Sequence, residues 1–427
     1  MSHHRSQVPI RETFEQFLRD KGKGEGETGN YRRNAERQLK EFGKWASGKI
    51  TDPANADPAE AWTGLAQEGD VTFKDLDTTA FSAYIRYLRS RGLADSTIQT
   101  YYAYISSWSK WSTREGYLDS HYARQSDAIR NLEEPTERTQ QQAWTQSHRD
   151  QLTRYVDELA DAALDAYDDV EVPDGEWGDL SSDLWQQRQT LRFRAIKAVR
   201  KRAFVYLLAY TGLRGAEFLR DRSDDRDGRR GIQWTDINFD DGSLSVFRKK
   251  QNWEEAALPD PVIQPLQNYQ QRLSPPDEWP VFTTLHRPTL ATHTTNCLEA
   301  DGYTESEIAE LRGAKVDFLI LADNGYEPPR ALSTDGGRNI MRSLTESAGI
   351  DIDPESGGAD YLQLHGARRG MGEVMVREFG FAAAARYLDN SEEQVREAYQ
   401  HIEAAERASQ ATEAIQNTDN RQSEGVD

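Results

Sequence analysis

Cysteine is nearly absent from this chain: Cys297 is the only one in 427 residues. An internal disulfide is thereby excluded, and the chain fits a reducing compartment. Long apolar runs are missing as well. A stretch such as Phe204-Val-Tyr-Leu-Leu-Ala-Tyr210 falls far short of the roughly 18 consecutive apolar residues that span a bilayer, and the mean hydropathy is -0.84. The opening residues, Met1-Ser-His-His-Arg-Ser6, carry neither the apolar stretch nor the small-residue cleavage site of a secretory signal. These absences predict a cytoplasmic protein without a membrane partner.

Positive charge is also scarce. Lys and Arg number 52 against 72 Asp and Glu, a formal charge of -20. Generic adhesion to a polyanion is therefore disfavoured, although a basic track on one face can coexist with acidic faces elsewhere. The motifs of several large enzyme classes are lacking too. There is no Walker loop, no nucleophile elbow, no HExxH and no paired CxxC, so nucleotide cofactors, acyl hydrolysis and a metal centre find no support. His286, His293 and Cys297 offer metal-ligand chemistry without a fourth ligand. Gly24-Glu-Gly-Glu-Thr-Gly29 satisfies a dinucleotide-loop pattern, but no strand precedes it and its two glutamates would oppose a pyrophosphate.

What is present is helical periodicity over a chain long enough for two or three compact units. Tyr31, Ala35, Leu39, Phe42 and Trp45 form one stripe. Ile98, Tyr101, Tyr102, Ile105, Trp108 and Trp111 form a second, with Ser96-Thr97 as its N-cap candidate. Such aromatic stripes can stack on bases, but the spacing is what a single buried helix face requires, and a helical core is the favoured reading. Residues 8–122 therefore read as a helical domain. A linker is expected at 123–142, where Glu134-Pro135 and Thr139-Gln-Gln-Gln142 interrupt the apolar periods. A second domain follows over 143–407, with exposed insertions expected near 157–190, rich in Asp and Glu, and at 287–330. The tail at 408–427 reads as polar and disordered.

Within the second domain, Arg192, Arg194, Lys197, Arg200, Lys201 and Arg202 crowd the start of an apolar helix that ends at Thr211-Gly212, as either a DNA-contacting face or a solvated helix end. Asp241-Gly242, between short alternating segments, signals a β-hairpin. Four further elements carry chemistry. In Thr211-Gly-Leu-Arg-Gly-Ala-Glu217, Gly212 permits a sharp break, and Arg214 falls at the start of another helix, where a guanidinium beside unpaired amides suits a phosphate. In His365-Gly-Ala-Arg368 the spacing sets an imidazole and a guanidinium on one helix face. Lys250, beside Lys249, lies at or just past the end of the hairpin's second strand. Lastly, Val395, Ala398 and Ile402 anchor a helix presenting Tyr399. Taken singly, each has a structural reading, since a lone Arg-Gly-Ala-Glu is commonly a salt bridge and a lone helical tyrosine is commonly core.

Their order resembles the tyrosine recombinase family of phage integrases and Xer-type resolvases. Thr211-Gly-Leu-Arg214 with Glu217 looks like that family's first arginine motif. Lys250, followed by Asn252 and Leu258-Pro259, is similar to its hairpin lysine. His365-x-x-Arg368 looks like its second arginine box, and Tyr399-Gln-His-Ile402 like its nucleophile motif. In the first half, Tyr31-Arg-Arg and the helix from Ser96 to Trp111, ending in Arg114-Glu-Gly-Tyr-Leu118, resemble its helical core-binding domain. One position departs: in Leu388-Asp-Asn-Ser391, Asn390 stands where the family has a histidine or tryptophan donor.

The resemblance implies a mainly α fold with a small β-sheet: an N-terminal SAM-like core-binding domain and a C-terminal mixed α+β catalytic domain. It also implies double-stranded DNA as the partner, a homo-tetramer on DNA, and strand exchange without metal, cofactor or ATP. The implied catalytic set is Arg214, Lys250, His365, Arg368, Asn390 and Tyr399. A DNA-binding protein that lost turnover and a type IB topoisomerase are the competing readings. The acidic composition and the excess of Arg over Lys are similar to proteins of salt-loving archaea.

Overall fold

The apolar stripes of the first hundred residues become helices because each needs one buried face. The computed structural model describes residues 2–22, 29–49, 64–66, 69–133, 141–224, 226–353 and 359–400, with Ile402, Ala408 and Thr412. The chain separates into two units, Met1–Thr139 with Ser223–Arg226, and Gln140–Arg222 with Asp227–Asp427. The glycine run at 24–28, most of the tail beyond 407 and the centre of the expected linker at 134–140 lie outside the described residues.

The first unit is built from helices Phe14–Arg19, Asn30–Ala46, Thr78–Ser90 and Asp95–Arg114. Ala35, Leu39, Phe42 and Trp45 are buried, as are Ile98, Tyr102, Ile105, Trp108 and Trp111. Phe42 sits amid Trp45, Phe81, Tyr84 and Trp108, so the aromatics are a packed interior and not a stacking face for bases. Tyr31 departs from its stripe and stays exposed beside Tyr104. The second stripe begins at Asp95, with Ala94 at the N-cap rather than Ser96 or Thr97. Asp95 in the first turn complements the helix dipole instead. Short turns at Tyr122–Arg124 and Ser126–Ile129 bury Ala123 and Ala128, and Tyr102 Oη donates to the Ala123 carbonyl at 2.7 Å. The start of the expected linker is therefore packed chain.

In the second unit, helices Gln146–Asp168 and Asp183–Thr211 take both flanks of the insertion expected at 157–190 and leave a mostly exposed connection at 169–182 around Pro173-Asp-Gly175. Part of the acidic run, such as Asp161 and Asp168, lies on the outer faces of these helices, and Glu171, Asp174 and Glu176 lie in the exposed connection between them, while Val156, Ala160 and Trp185 are buried. Three antiparallel strands follow: β1 (Ile237–Asn238), β2 (Ser243–Phe247) and β3 (Trp253–Ala257), in the order β1-β2-β3 with Leu244 opposite Ala256 and Phe247 opposite Trp253. Gly242, at φ 58°, takes the left-handed turn position before β2. Leu244 and Val246 point into a core shared with Phe204, Leu207, Val262, Leu266 and Phe282. Helix Asp260–Leu273 comes next.

The region 287–330 is also helical, as Arg287–Ala300, Glu305–Ala314 and Asp317–Asp323. Helices Thr334–Ser347, Leu364–Leu388 and 392–400 complete the described chain. The long one bends at Gly380, whose φ of 78° is not helical. The fold is mainly α with one small sheet. Among the described residues no helix is long and apolar enough to cross a membrane.

Candidate active site

Helix Asp183–Thr211 stops at Gly212, which takes the left-handed conformation (φ 64°) and lets the chain reverse before Arg214. Arg214 opens the short turn Gly215–Phe218, and Glu217 closes it from inside. Glu217 is buried, accepts the Arg214 amide at 2.8 Å and the Arg214 guanidinium at 2.8 Å, and accepts from Arg248 Nη1 at 3.1 Å. Its charge is thus compensated by two cations, which a carboxylate with so little solvent requires.

Arg368 reaches the same place from helix Leu364–Leu388. It is buried and donates to the Gly212 carbonyl at 2.7 Å and to the Leu388 carbonyl. Burial and then the neighbouring Arg214 push its pKa down to about 10, which leaves it charged at neutral pH. The two guanidiniums meet at Asn390. Asn390 Oδ1 accepts from Arg214 Nη2 at 2.8 Å and from Arg368 Nη2 at 3.2 Å. Guanidinium nitrogens only donate, so the amide must turn its oxygen to them, which leaves Nδ2 as its donor. Asn390 thus joins the two guanidiniums through one oxygen.

His365 lies one turn before Arg368 on the same helix and is exposed. Packing around the ring, then Arg369, Arg368 and Arg214, push its pKa down to about 4. The imidazole is neutral at pH 7. Lys250 lies in the turn between β2 and β3 and donates to Asp389 Oδ1 at 2.8 Å; that carboxylate holds its pKa above the ordinary lysine range. Lys249 beside it is exposed.

Tyr399 departs most from expectation. Val395, Tyr399 and Ile402 form the buried face of the last helix, packed on Val376, Ala384 and Leu388, while Ala398, expected as an anchor, is exposed. Tyr399 Oη donates to the Arg369 carbonyl at 3.2 Å. Burial pushes the phenol up to about 12, and Arg368 opposes that shift. The backbone of Gly372 passes so close that a Cβ there would lie 2.1 Å from Tyr399 Oη.

The basic stretch of helix Asp183–Thr211 does not form one face. Arg200 is buried in the core and donates to the Thr283 carbonyl at 2.6 Å, so it is withdrawn from any DNA-contacting surface. Arg192 is bidentate to Asp323, with both bonds 2.7 Å, and Arg202 pairs with Asp161 at 3.1 Å. Arg194, Lys197 and Lys201 share one side of the helix, the first two exposed and the third half-buried. His293 bonds the Glu327 carbonyl at 2.9 Å and lies 4.0 Å from Cys297 Sγ, while His286 bonds Thr289.

Sequence reasoning missed Arg248, Asp389 and Arg369. Arg248 had a readable signal: with Leu244 and Val246 it continues the inward alternation of β2. Asp389 and Arg369 had none, since their roles arise where separate segments meet.

Residues 10–128 match the model of the phage integrase SAM-like domain. The matched residues fall within the first unit. No protein of curated function matches the chain significantly. Among solved structures, a lambda integrase dimer bound to a COC' core site aligns with a TM-score of 0.46 and 12% identity, over 92% of this chain and 78% of that one. The Tn1549 transposon integrase in complex with transposon right end DNA aligns with a TM-score of 0.47 and 11% identity, over 92% and 95%. XerA recombinase aligns with a TM-score of 0.31 and 11% identity, over 93% and 97%.

Proposed function

We propose that this protein is a site-specific DNA recombinase that cuts and rejoins strands through a phosphotyrosine formed by Tyr399. The observation that carries the reading is the junction at Asn390, where Arg214 and Arg368, from segments far apart in sequence, converge beside Lys250 and His365. Two guanidiniums braced on one amide oxygen form a preorganised cradle for the non-bridging oxygens of a phosphodiester.

In this reading Tyr399 Oη leaves the Arg369 carbonyl and attacks phosphorus, passing its proton to the neutral imidazole of His365. The bond from phosphorus to the 5′ oxygen breaks, the electron pair departs on that oxygen, and Lys250 supplies its proton. A 3′-phosphotyrosine and a free 5′ hydroxyl result, and attack by another 5′ hydroxyl reseals the DNA. The covalent link retains the bond energy, so ATP has no part, and the four cationic or basic side chains supply the charge stabilisation without a metal. Assembly as four protomers on two duplexes, work in the cytoplasm and adaptation to concentrated salt belong to the same proposal.

The test uses sheared DNA from the source cells and their mobile elements. The full chain is incubated with it, denatured and washed with detergent, and covalently retained DNA is sequenced. Discrete cleavage positions that vanish in Tyr399→Phe support the recombinase. Specific binding with no adduct from the unchanged protein favours a DNA-binding protein that has lost turnover, and, on a separate supercoiled plasmid, relaxation without strand exchange favours a type IB topoisomerase.

A further inference from the structure

Asp389 has no part in the chemistry above, yet its surroundings are unusual. It ends helix Leu364–Leu388 in the left-handed region, at φ 48° and ψ 55°, a conformation that suits glycine and that a side chain disfavours. Asp389 Oδ1 accepts from Lys250 Nζ at 2.8 Å, and Oδ2 lies 3.9 Å from Arg248 Nε. The carboxylate is 13% exposed, whereas the Lys250 side chain is 68% exposed. Arg248 is fixed in turn just past the end of β2: its side chain donates to Glu217 and its backbone amide donates to the Asn252 carbonyl at 2.9 Å. Lys250 by contrast sits on an exposed turn beside Gln251, which has φ 72°. Among the described residues Asp389 is the hydrogen-bond partner of its ammonium. The next residue, Asn390, braces the arginine cradle.

We propose that Asp389 is the positioning residue for Lys250, a carboxylate seated against buried Arg248 that draws the ammonium of the β2–β3 turn to the phosphate cradle. The proposal rests on the recombinase reading. One helix end then sets both parts of the site, with Asn390 aligning the arginines and Asp389 bringing the proton donor beside them. Removing the carboxylate leaves the cradle intact and lets the turn carry Lys250 elsewhere.

The experiment uses the full chain and a duplex recovered in the cleavage mapping above. The duplex is synthesised with a nick downstream and with either oxygen or sulfur at the 5′ bridging position of the scissile phosphate. A thiolate leaves without a proton, its conjugate acid having a pKa of about 8.5, so sulfur removes the need for a general acid. D389N and D389G are compared with K250A and with the K250A/D389N pair; the glycine variant suits the left-handed backbone and guards against misfolding. Adduct formation on oxygen is expected to fall by about tenfold or more in both Asp389 variants, to recover to within about threefold of wild type on sulfur, and to be no lower in the pair than in K250A alone. A loss equal on both substrates, or additive with K250A, overturns the positioning role, as does faster cleavage by D389N, which would make Asp389 a restraint. Absence of any adduct from the unchanged protein overturns the recombinase reading and this proposal with it.

Discussion

Glu217 and His365 mark two ways in which a single residue answers to its surroundings. Glu217 is buried between Arg214 and Arg248 and accepts from both guanidiniums. His365, by contrast, meets packing around its ring and then three guanidiniums, which both disfavour its protonation. The second effect has a measurable consequence. The folded pKa, about 4, lies below the unfolded value of 6.5. Above the unfolded value neither state binds the proton, and folding is indifferent to this group. As pH falls from 6.5 towards 4, the unfolded chain takes up a proton that the folded chain refuses, so stability falls over that window. His365→Gln removes the difference. Urea midpoints collected at half-unit steps are expected to fall less steeply with acid in the variant across that interval, and parallel curves for the two proteins would show that the imidazole is not held neutral. In the same variant the proposed base for Tyr399 is lost, so adduct formation at pH 7 should drop while the fold is retained.

Helix Leu364–Leu388 organises the site because its glycines admit other chain segments. A Cβ on Gly366 would meet Gln142 Oε1 at 2.8 Å and one on Gly370 would meet the Trp144 carbonyl at 2.2 Å. The segment 142–144 lies in that groove. The Trp144 amide donates to the Gly366 carbonyl at 3.0 Å, Gln142 accepts from the Gln363 amide at 2.7 Å, and Arg369 donates to the Gln142 carbonyl at 3.0 Å. Arg369 in turn offers its own carbonyl to Tyr399. Gly370→Ala sets a methyl group against a backbone carbonyl, which cannot rotate away as a side chain does. Overpacking of this kind typically destabilises by about 1–3 kcal/mol, with a lower urea midpoint and an unchanged slope as the expected result. A loss under about 0.5 kcal/mol would mean that the segment docks loosely.

The same elements show how far sequence reading reaches. The two aromatic stripes and the Asp241-Gly242 hairpin were legible because a helix repeats every 3.6 residues and a tight turn selects its residues. The acidic run at 157–190 misled at its two ends, where the outer faces of long helices carry the composition of an exposed loop, and was right at 169–182. Burial of Gln142 was hidden, since its partners at Tyr361 and Gln363 are more than two hundred positions away. Order and spacing singled out Arg214, Lys250, His365 and Arg368, and the structure sets Arg214 and Arg368 on one amide oxygen. The bracing by Asn390 and the inward face of Tyr399 depend on packing that no local pattern encodes.

For the whole molecule the governing fact is a charge of -20 on a chain proposed to hold DNA. Each phosphate neutralised by a cation contributes about 0.9 to the slope of log affinity against log salt. Six basic residues from Arg192 to Arg202 would add more than 5 on that scale if all touched DNA, but their environments differ. Arg200 is a core residue, and Arg192 and Arg202 are engaged by Asp323 and Asp161. Arg194, Lys197 and Lys201 remain on one side of the helix, with Lys201 held below the usual lysine range by burial and by Lys197 and Arg200. The triple variant R194Q/K197Q/K201Q should therefore flatten the salt slope by at most about 2.7 if this side contacts the backbone, with its melting temperature unchanged. Arg200→Gln should do the reverse, lowering stability by about 1–3 kcal/mol through the unpaired Thr283 carbonyl while leaving the slope alone. Fluorescence anisotropy on a nonspecific duplex between 0.1 and 1 M salt reads both, and an unchanged slope in the triple variant would remove this helix from the DNA-contacting surface.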